Sequence, residues 1–493
     1  MKIQINGNIN EYYVQTLCML FFPGVKFSKS ETSENDSLST EIIIADFKEG
    51  VTATVTLITE NGTATCTHCE PKIENSKVSA EQIACGKAFF EAGKKLTGIM
   101  PSWGILTGVR PAKLAITDLN AGKTKKEVID SLAKEYLVTP KKASLATEIA
   151  DIEKKIILKA NPNACSIYIS IPFCPSRCSY CSFVSFTSAK LLGLLDSYLE
   201  RLCHDLNQTI DLICNLGLDI ATVYIGGGTP TTLNETQLAI LLDTITSRID
   251  PSSLEEFTVE AGRPDTITKE KLRIIQDHGV DRISINTQTL NDDVLELVGR
   301  KHTSADFYRA FEMAKETNIK IVNTDLIAGL PGEGFGSFSE TIDALIKLRP
   351  ENLTFHTLSI KNAADFAHNR EKLASIHTFN ETSKCVDYSQ LSAKNAGYIP
   401  YYIYRQKNTI DNLENVGFAL PGTEGLYNIY MMEEIHSIFA VGAGAVSKMV
   451  SRDRRTIERI FEYKYPYEYL ADPNGIKNED KVKKITEFYH KIW

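Results

Sequence analysis

The sequence predicts an α/β protein built around a partial (β/α)6 barrel, and three observations lead there. β-favouring apolar runs recur at residues 167–171, 222–225, 256–260, 282–286, 320–327 and 352–356. The stretches between them, such as 196–216 and 236–249, carry apolar residues at helical spacing. Strands alternating with helices imply parallel strands covered by helices, as a barrel or a doubly wound sheet. The third observation chooses between these. Cys174 to Cys181, Gly226-Gly-Gly-Thr-Pro230, Glu260, Gln288 and Asp325 all fall at or near the C-terminal ends of successive strands. That is the edge on which barrels build their sites.

Around this core the chain divides into three expected parts: residues 1–158, 159–390 and 391–493. The first reads as a small α/β domain with a helical extension. Residues 41–46 are strand-like, and 51–58 and 63–67 flank Glu60-Asn61-Gly62, an Asn-Gly hairpin signal. Cys66-Thr-His-Cys69 has metal-like spacing, but no second pair completes a site, so strand-end thiols are the better reading. From 80 to 155 the periodicity is helical, broken by the turn-rich segment 100–111, and 159–163 marks the boundary with the barrel. The third part is expected to cap the barrel mouth.

Composition narrows the class. Apolar residues make up 43% and charged residues 24% of 493 positions, as in globular proteins with a sizeable core. No apolar run approaches the about 18 residues of a membrane span, and the first residues lack a signal-peptide core. A cytoplasmic protein is expected. Eleven cysteines, an odd number without an export signal, argue against a disulfide framework and for a reducing compartment. A net charge of −8 offers no electrostatic case for nucleic acid, and the short basic runs at 123–126 and 481–484 read as solvated helix faces.

The most specific motif is Ile171-Pro-Phe-Cys174-Pro-Ser-Arg-Cys178-Ser-Tyr-Cys181, a C-x3-C-x2-C loop directly after a strand. Three thiolates on one loop can each hold one iron of a cubane iron–sulfur cluster, leaving a fourth iron open to a ligand that is not protein. An open position is what makes a metal site catalytic. A structural zinc loop or buried free thiols are the alternatives. Zinc sites prefer C-x2-C pairs with a fourth ligand, and no fourth Cys or His lies on this loop. After the second strand, Gly226-Gly-Gly-Thr-Pro-Thr231 allows close approach of backbone to a ligand. By itself it is an ordinary Gly-rich turn. No G-x-G-x-x-G or Walker pattern competes with it.

The cysteine spacing, with Tyr180 before the last Cys, resembles the radical S-adenosylmethionine (radical SAM) superfamily. That resemblance implies a 4Fe–4S cluster on Cys174, Cys178 and Cys181. Its open iron would take the amino and carboxylate groups of S-adenosylmethionine, whose reductive cleavage yields methionine and a 5′-deoxyadenosyl radical. It also implies the same partial barrel. Further runs narrow the likeness: Tyr168-Ile-Ser-Ile-Pro-Phe-Cys174, Tyr224-Ile-Gly-Gly-Gly-Thr-Pro-Thr231, Asp281-Arg-Ile-Ser-Ile-Asn-Thr-Gln288, Gly299-Arg300-Lys-His302 and Asn323-Thr-Asp-Leu-Ile-Ala-Gly-Leu-Pro-Gly332. In this order they resemble the oxygen-independent coproporphyrinogen III oxidase (coproporphyrinogen dehydrogenase) family. The HemZ-like branch is nearest, on Gly104-Ile-Leu-Thr-Gly-Val-Arg-Pro111, Glu260-Ala-Gly-Arg-Pro-Asp265 and Asn412-Leu-Glu-Asn-Val-Gly417.

Carried over by position, the resemblance implies that Gly227, Gly228 and Thr229 meet the amino group of S-adenosylmethionine through backbone. Glu260 and Gln288 would contact its ribose or methionyl part, Arg300 its carboxylate and Asp325 the ribose hydroxyls. Ala328 and Gly329 would lie along the adenine, and Tyr168 near cluster and substrate. An arginine fork suits a carboxylate, and carboxylates accept hydrogen bonds from a diol or ammonium. Ordinary strand-end polar groups, or for Tyr168 a buried phenol, explain each residue singly.

The implied activity is oxidative decarboxylation of coproporphyrinogen III to protoporphyrinogen IX. It would need a low-potential electron donor such as flavodoxin or ferredoxin, and an external electron acceptor. A haem-binding chaperone on the same scaffold, and a radical SAM transferase acting on another tetrapyrrole, are the other readings. Two positions depart from the oxidase pattern: Phe183 stands where a further Cys is usual, and Ser170 where a His is usual. The His-Asn…Tyr-Trp segment of the chaperone branch is replaced by Tyr427-Asn-Ile-Tyr430. In the last part, residues 397–407 combine four tyrosines with Arg405 and Lys407, suited either to a macrocycle with propionates or to an edge strand. His356 and Lys361 face the expected mouth without an assigned role.

Overall fold

The computed structural model describes all residues except 28–37, 48, 74–77, 109, 182, 184, 360–380, 407, 473–474 and 493. Two compact units result: Met1–Asp151 with Ile403–Glu414, and Ile152–Tyr402 with Asn415–Trp493.

In the first unit, strands β1 (Lys2–Asn6), β2 (Ser39–Phe47), β3 (Gly50–Thr59) and β4 (Gly62–Pro71) form a sheet in that order. β1 and the helix Glu11–Phe21 were not expected from the sequence; β1 holds just two apolar residues, Ile3 and Ile5, too few to register as a strand. β3 alternates as a one-sided strand should: Val51, Ala53, Val55 and Leu57 are fully buried, beneath the helix Ala80–Thr97. The opposite face carries threonine pairs, Thr54 with Thr67 at 2.9 Å and Thr56 with Thr65 at 3.0 Å. The expected hairpin turns at Glu60 and Asn61, with Gly62 at φ +139°. Cys66 and Cys69 both lie within β4, opposite Val55 and Thr52. Three residues apart on a strand, they point to opposite faces and cannot share a metal.

The turn-rich break at 100–111 has a packing role within this unit. Trp103 is buried and donates its indole N–H to Glu414 Oε2 at 2.7 Å. Lys142 reaches Glu414 Oε1 at 2.5 Å, both side chains almost wholly buried. Arg405 stacks 5.8 Å from the Trp103 ring centroid and donates to the Leu106 carbonyl. Gly104 sits at φ +55°, where a Cβ would lie 2.0 Å from the Tyr136 carbonyl oxygen.

The second unit is organised by an 11-stranded sheet. Its centre is β5 (Ala164–Ile171), β6 (Asp219–Gly227), β7 (Glu256–Glu260), β8 (Arg282–Ser284), β9 (Ile321–Ala328) and β10 (Asn352–Thr357), each parallel to its predecessor and next to it in space. Doubly wound sheets reverse strand order at a switch point; this winding never reverses, which is barrel topology. It does not close. β12 (Glu414–Ala419) pairs antiparallel with β10, and β11 (Ile399–Arg405) forms the sheet edge beyond it. At the other side β13 (Ser437–Val441) pairs parallel with β5, followed by β14 (Val446–Val450) and β15 (Ile457–Phe461). The expected helices are present as Leu195–Asn215 and Glu235–Thr246, the latter started by an Asn234/Gln237 capping box.

Residues 391–493 extend the barrel sheet at both edges and belong to its unit, except for 403–414. The reason is β-pairing: an open barrel leaves both edge strands, β5 and β10, with unpaired backbone, and β13 and β12 take it up. Within this segment Ile399–Arg405 form an edge strand, with Tyr398, Tyr401 and Tyr402 buried; Arg405 is buried as well, not an exposed basic end, and Lys407 lies outside the described residues. Among the described residues no helix is long and apolar enough to cross a membrane.

Candidate functional site

The cysteine loop leaves β5 at Ile171 and is pinned at several points. Cys174 N–H donates to the Phe186 carbonyl at 3.1 Å, and Phe186 N–H returns to Pro172 at 3.0 Å. Ser179 bonds the Val298 carbonyl through its N–H at 3.0 Å and its hydroxyl at 3.1 Å. Cys174 and Cys178 are buried and Cys181 is half-buried. Burial pushes the Cys181 thiol up to about 11 and raises that of Cys174; bound metal ions overcome such a penalty by deprotonating their thiol ligands outright.

The glycine run lies directly against this loop. Gly228 N–H donates to Ile171 O at 2.8 Å and Thr229 N–H to Phe173 O at 2.8 Å, while Thr229 Oγ1 lies 3.3 Å from Cys174 Sγ. Gly227 adopts φ +112°, with a Cβ position 3.0 Å from the Ile171 backbone. A side chain at any of the three positions would meet atoms of the neighbouring strands or loop.

Beyond the glycines a polar wall crosses the next strands. Tyr224 donates its hydroxyl to Glu260 Oε1 at 2.5 Å. Burial holds the Glu260 carboxyl up, to about 7; the Tyr224 and Gly227 hydrogen bonds oppose this and the Asp325 charge adds to it. Asp325 behaves oppositely. Burial would raise it, yet His356, Asn323 and Thr354 together hold it below the usual carboxylate range. Asn323 Nδ2 donates to Asp325 Oδ1 at 2.8 Å, and His356 Nε2 lies 3.7 Å from Oδ2. His356, at the end of β10, thus has a partner; Lys361 lies outside the described residues. Gln288 is held at φ +71° by N–H to Asp325 O at 3.1 Å and by its carbonyl, which accepts from Ile327 N–H at 3.1 Å. Ala328 is fully buried at the end of β9, and Gly329 turns the chain at φ +87°.

Tyr168 sits on β5 with its ring stacked on Tyr224 (centroids 6.1 Å) and Tyr427 (6.4 Å), which stack on each other at 4.5 Å. Sequence reasoning did not anticipate this triple stack. Tyr224 could have been found, because it shares a strand face with Gly226 two residues on; Tyr427, on the helix Leu426–Met432, carries no local signal.

Two arginines flank the cysteine loop. Arg300 is buried, and its donors are directed at protein: Tyr180 OH at 3.0 Å, Gly262 O at 2.9 Å, Asn286 O at 2.7 Å and His302 Nδ1 at 3.4 Å. These bonds fix the guanidinium beside the cysteine loop. The second, Arg263, was not singled out. It forks onto Asp265 through Nε and Nη2, both at 3.1 Å, and turns Nη1 toward Ser176 O at 3.2 Å and Cys178 Sγ at 3.9 Å.

The donor set suits a cubane cluster with an organic ligand beside it. Among the described residues no three His, Cys, Asp or Glu side chains converge on one ion position, but a cubane takes each thiolate on a different iron, so its ligands stand apart. Gly226, Gly227 and Gly228 leave a backbone-lined cradle that any Cβ would fill. Gln288 Oε1 is buried without a hydrogen-bond partner among the described residues, an orphaned acceptor of the kind that a ligand satisfies.

Residues 168–345 match the Radical SAM superfamily. Over 398 residues the chain is 38% identical to the oxygen-independent coproporphyrinogen-III oxidase-like protein HemZ of Bacillus subtilis (strain 168), covering 80% of this chain and 79% of that one. It is 32% identical over 326 residues to the heme chaperone HemW of the same organism, covering 64% of this chain and 81% of that one. Among solved structures, coproporphyrinogen III oxidase (HemN) from Escherichia coli, a radical SAM enzyme, aligns with a TM-score of 0.52 at 21% identity, covering 66% of this chain and 72% of that one.

Proposed function

Because the chain belongs to the HemZ-like, oxygen-independent coproporphyrinogen III oxidase family of radical SAM proteins, we propose that it is an oxidoreductase converting coproporphyrinogen III to protoporphyrinogen IX. The cofactors are the 4Fe–4S cluster and S-adenosylmethionine. The observation that carries the reading is the extent of likeness to HemZ, over 80% of this chain, more than the barrel alone occupies.

When bound, cluster and S-adenosylmethionine supply a deoxyadenosyl radical that abstracts hydrogen. The chain's own residues position and shield. Cys174, Cys178 and Cys181 hold three irons. Gly227, Gly228 and Thr229 admit the ligand's amino group to backbone, Glu260 and Gln288 contact its methionyl and ribose portions, and Asp325, oriented by Asn323 and His356, accepts from the ribose hydroxyls. Ala328 and Gly329 border the adenine. Arg300, fixed by Tyr180 and two strand-end carbonyls, would meet the ligand's carboxylate. Tyr168, at the face of the tyrosine stack, borders the substrate. Each of two propionates loses one hydrogen atom, carbon dioxide and one electron, leaving a vinyl group. A low-potential donor such as flavodoxin or ferredoxin and an external electron acceptor complete the balance in the cytoplasm.

A second reading, a haem-binding chaperone, draws support from the 32% identity to HemW and from Phe183 and Ser170 at the positions of the oxidase Cys and His. Ser170 is engaged structurally, its hydroxyl donating to Ala443 O at 2.9 Å. Anoxic incubation of iron-reconstituted protein with coproporphyrinogen III, S-adenosylmethionine and a reductant separates the readings. Vinyl products with deoxyadenosine release support the oxidase. Tight haem binding without decarboxylation supports the chaperone, and a methylated or ring-opened product supports a transferase. Cys178→Ala abolishes brown absorbance and deoxyadenosine release under the first reading; a chaperone can retain haem binding.

A further inference from the structure

We propose that Arg263 is a positioning residue for the iron–sulfur centre, fixing Cys178 and raising the cluster's reduction potential through a hydrogen bond to its sulfur. Arg263 is 3% exposed, and its guanidinium has two differently occupied edges. Nε and Nη2 grip both oxygens of Asp265, each at 3.1 Å. Nη1 faces the cysteine loop, donating to Ser176 O at 3.2 Å and to Cys178 Sγ at 3.9 Å. A carboxylate fork on one side removes the side chain's rotational freedom, so the donor at the sulfur is held ready rather than recruited. Thr266 Oγ1 donates to the Arg263 carbonyl at 2.7 Å and steadies the backbone as well.

The polarity of the pair sets the sign. Its positive end points at Cys178 and its negative end away. Adding an electron to the cluster increases the negative charge on iron and sulfur. An N–H donor and a nearby cation stabilise the reduced form more than the oxidised one, and hydrogen bonds to cluster sulfurs are an established lever on potential. Loss of the guanidinium makes the cluster harder to reduce. Arg300 is a second cation near Cys178, but its hydrogen bonds go to Tyr180, His302 and backbone carbonyls, so it adds charge without the sulfur hydrogen bond that distinguishes Arg263.

The inference rests on the cluster of the proposed function but not on the substrate, so its test contains no tetrapyrrole. Wild type, Arg263→Gln and Arg263→Lys are reconstituted with iron and sulfide under anoxic conditions, and the reduced-cluster EPR signal is titrated against potential. Arg263→Gln is expected to lower the reduced-to-oxidised ratio at a given potential about tenfold, which is about 59 mV for one electron. Arg263→Lys keeps the charge without the bidentate grip and shifts less, in the same direction. Equal potentials in wild type and Arg263→Gln overturn the proposal. Should Arg263→Gln fail to hold iron, the lysine variant decides alone, and an unshifted potential there overturns it. Absence of any cluster signal in wild type would instead sink the cluster assignment itself.

Discussion

A Cβ on Gly228 would stand 3.0 Å from Cys174 Sγ and 2.6 Å from the Phe173 carbonyl oxygen. The glycine loop after β6 and the cysteine loop after β5 therefore touch through backbone, with no room between them for a side chain.

Gly228→Ala must displace backbone rather than a flexible side-chain end. Overpacking of this kind costs about 1–3 kcal/mol, and the strain falls on a cluster ligand. Iron per chain after identical reconstitution drops well below wild type, while far-UV circular dichroism is unchanged. Full iron loading would show that the loops can separate without cost.

With Glu260 in the proposed contact with S-adenosylmethionine, binding is expected to depend on pH. Its carboxyl titrates at about 7, held up chiefly by burial. Below that pH it is neutral and has lost its charge as an acceptor. Affinity measured calorimetrically rises with pH from about 6 to 8, by at most tenfold per unit. Glu260→Gln binds more weakly and loses this slope; a slope that survives in the variant assigns the titration elsewhere.

Asp325 stays ionised through that same range, because the His356 and Asn323 contacts outweigh its burial. Asp325→Ala removes a charged acceptor, and hydrogen bonds to charged groups contribute about 1.5–3 kcal/mol. The dissociation constant of S-adenosylmethionine increases about 10- to 100-fold with cluster content intact. Unchanged affinity would remove Asp325 from the binding site.

In the first unit, Lys142→Ala removes the ammonium paired with the buried Glu414 carboxylate, which keeps its hydrogen bond from Trp103 and lies near the Arg405 charge. Breaking a buried ion pair from one side costs about 3–5 kcal/mol, whereas replacing both members with apolar groups is far milder. Urea unfolding followed by fluorescence of Trp103, one of two tryptophans, shows a large fall in midpoint for Lys142→Ala. The double variant Lys142→Met/Glu414→Leu recovers much of it. Equal loss in both would argue against the ion pair as the cause.

Much of the second unit was legible in advance. The six barrel strands fall where β-favouring runs alternate with helical spacing, and the cysteine and glycine loops follow β5 and β6 as expected. Contacts that depend on register were not legible. The carboxylate of Asp325 meets His356 because β9 and β10 run parallel with Asp325 opposite Thr354, and nothing in either local sequence specifies that pairing. Arg300 shows the limit from the other side: its position at the site was visible, but not that Tyr180, Gly262 and Asn286 take up its donors. The pairing of residues 391–493 with β5 and β10 was not legible for a similar reason, since it leaves no local mark on them.

By itself the amino-acid order determined the alternation of strands and helices, the loop carrying three thiols and the glycines beside it. These follow from spacing along the chain, through side-chain periodicity and the backbone freedom of glycine. Only the tertiary structure decided that Arg263 faces Cys178, that Tyr168, Tyr224 and Tyr427 stack, and that Glu260 and Asp325 titrate in opposite directions. Periodicity says which face of an element a residue occupies; what it meets there, and how far water is excluded from it, depends on elements distant in the chain.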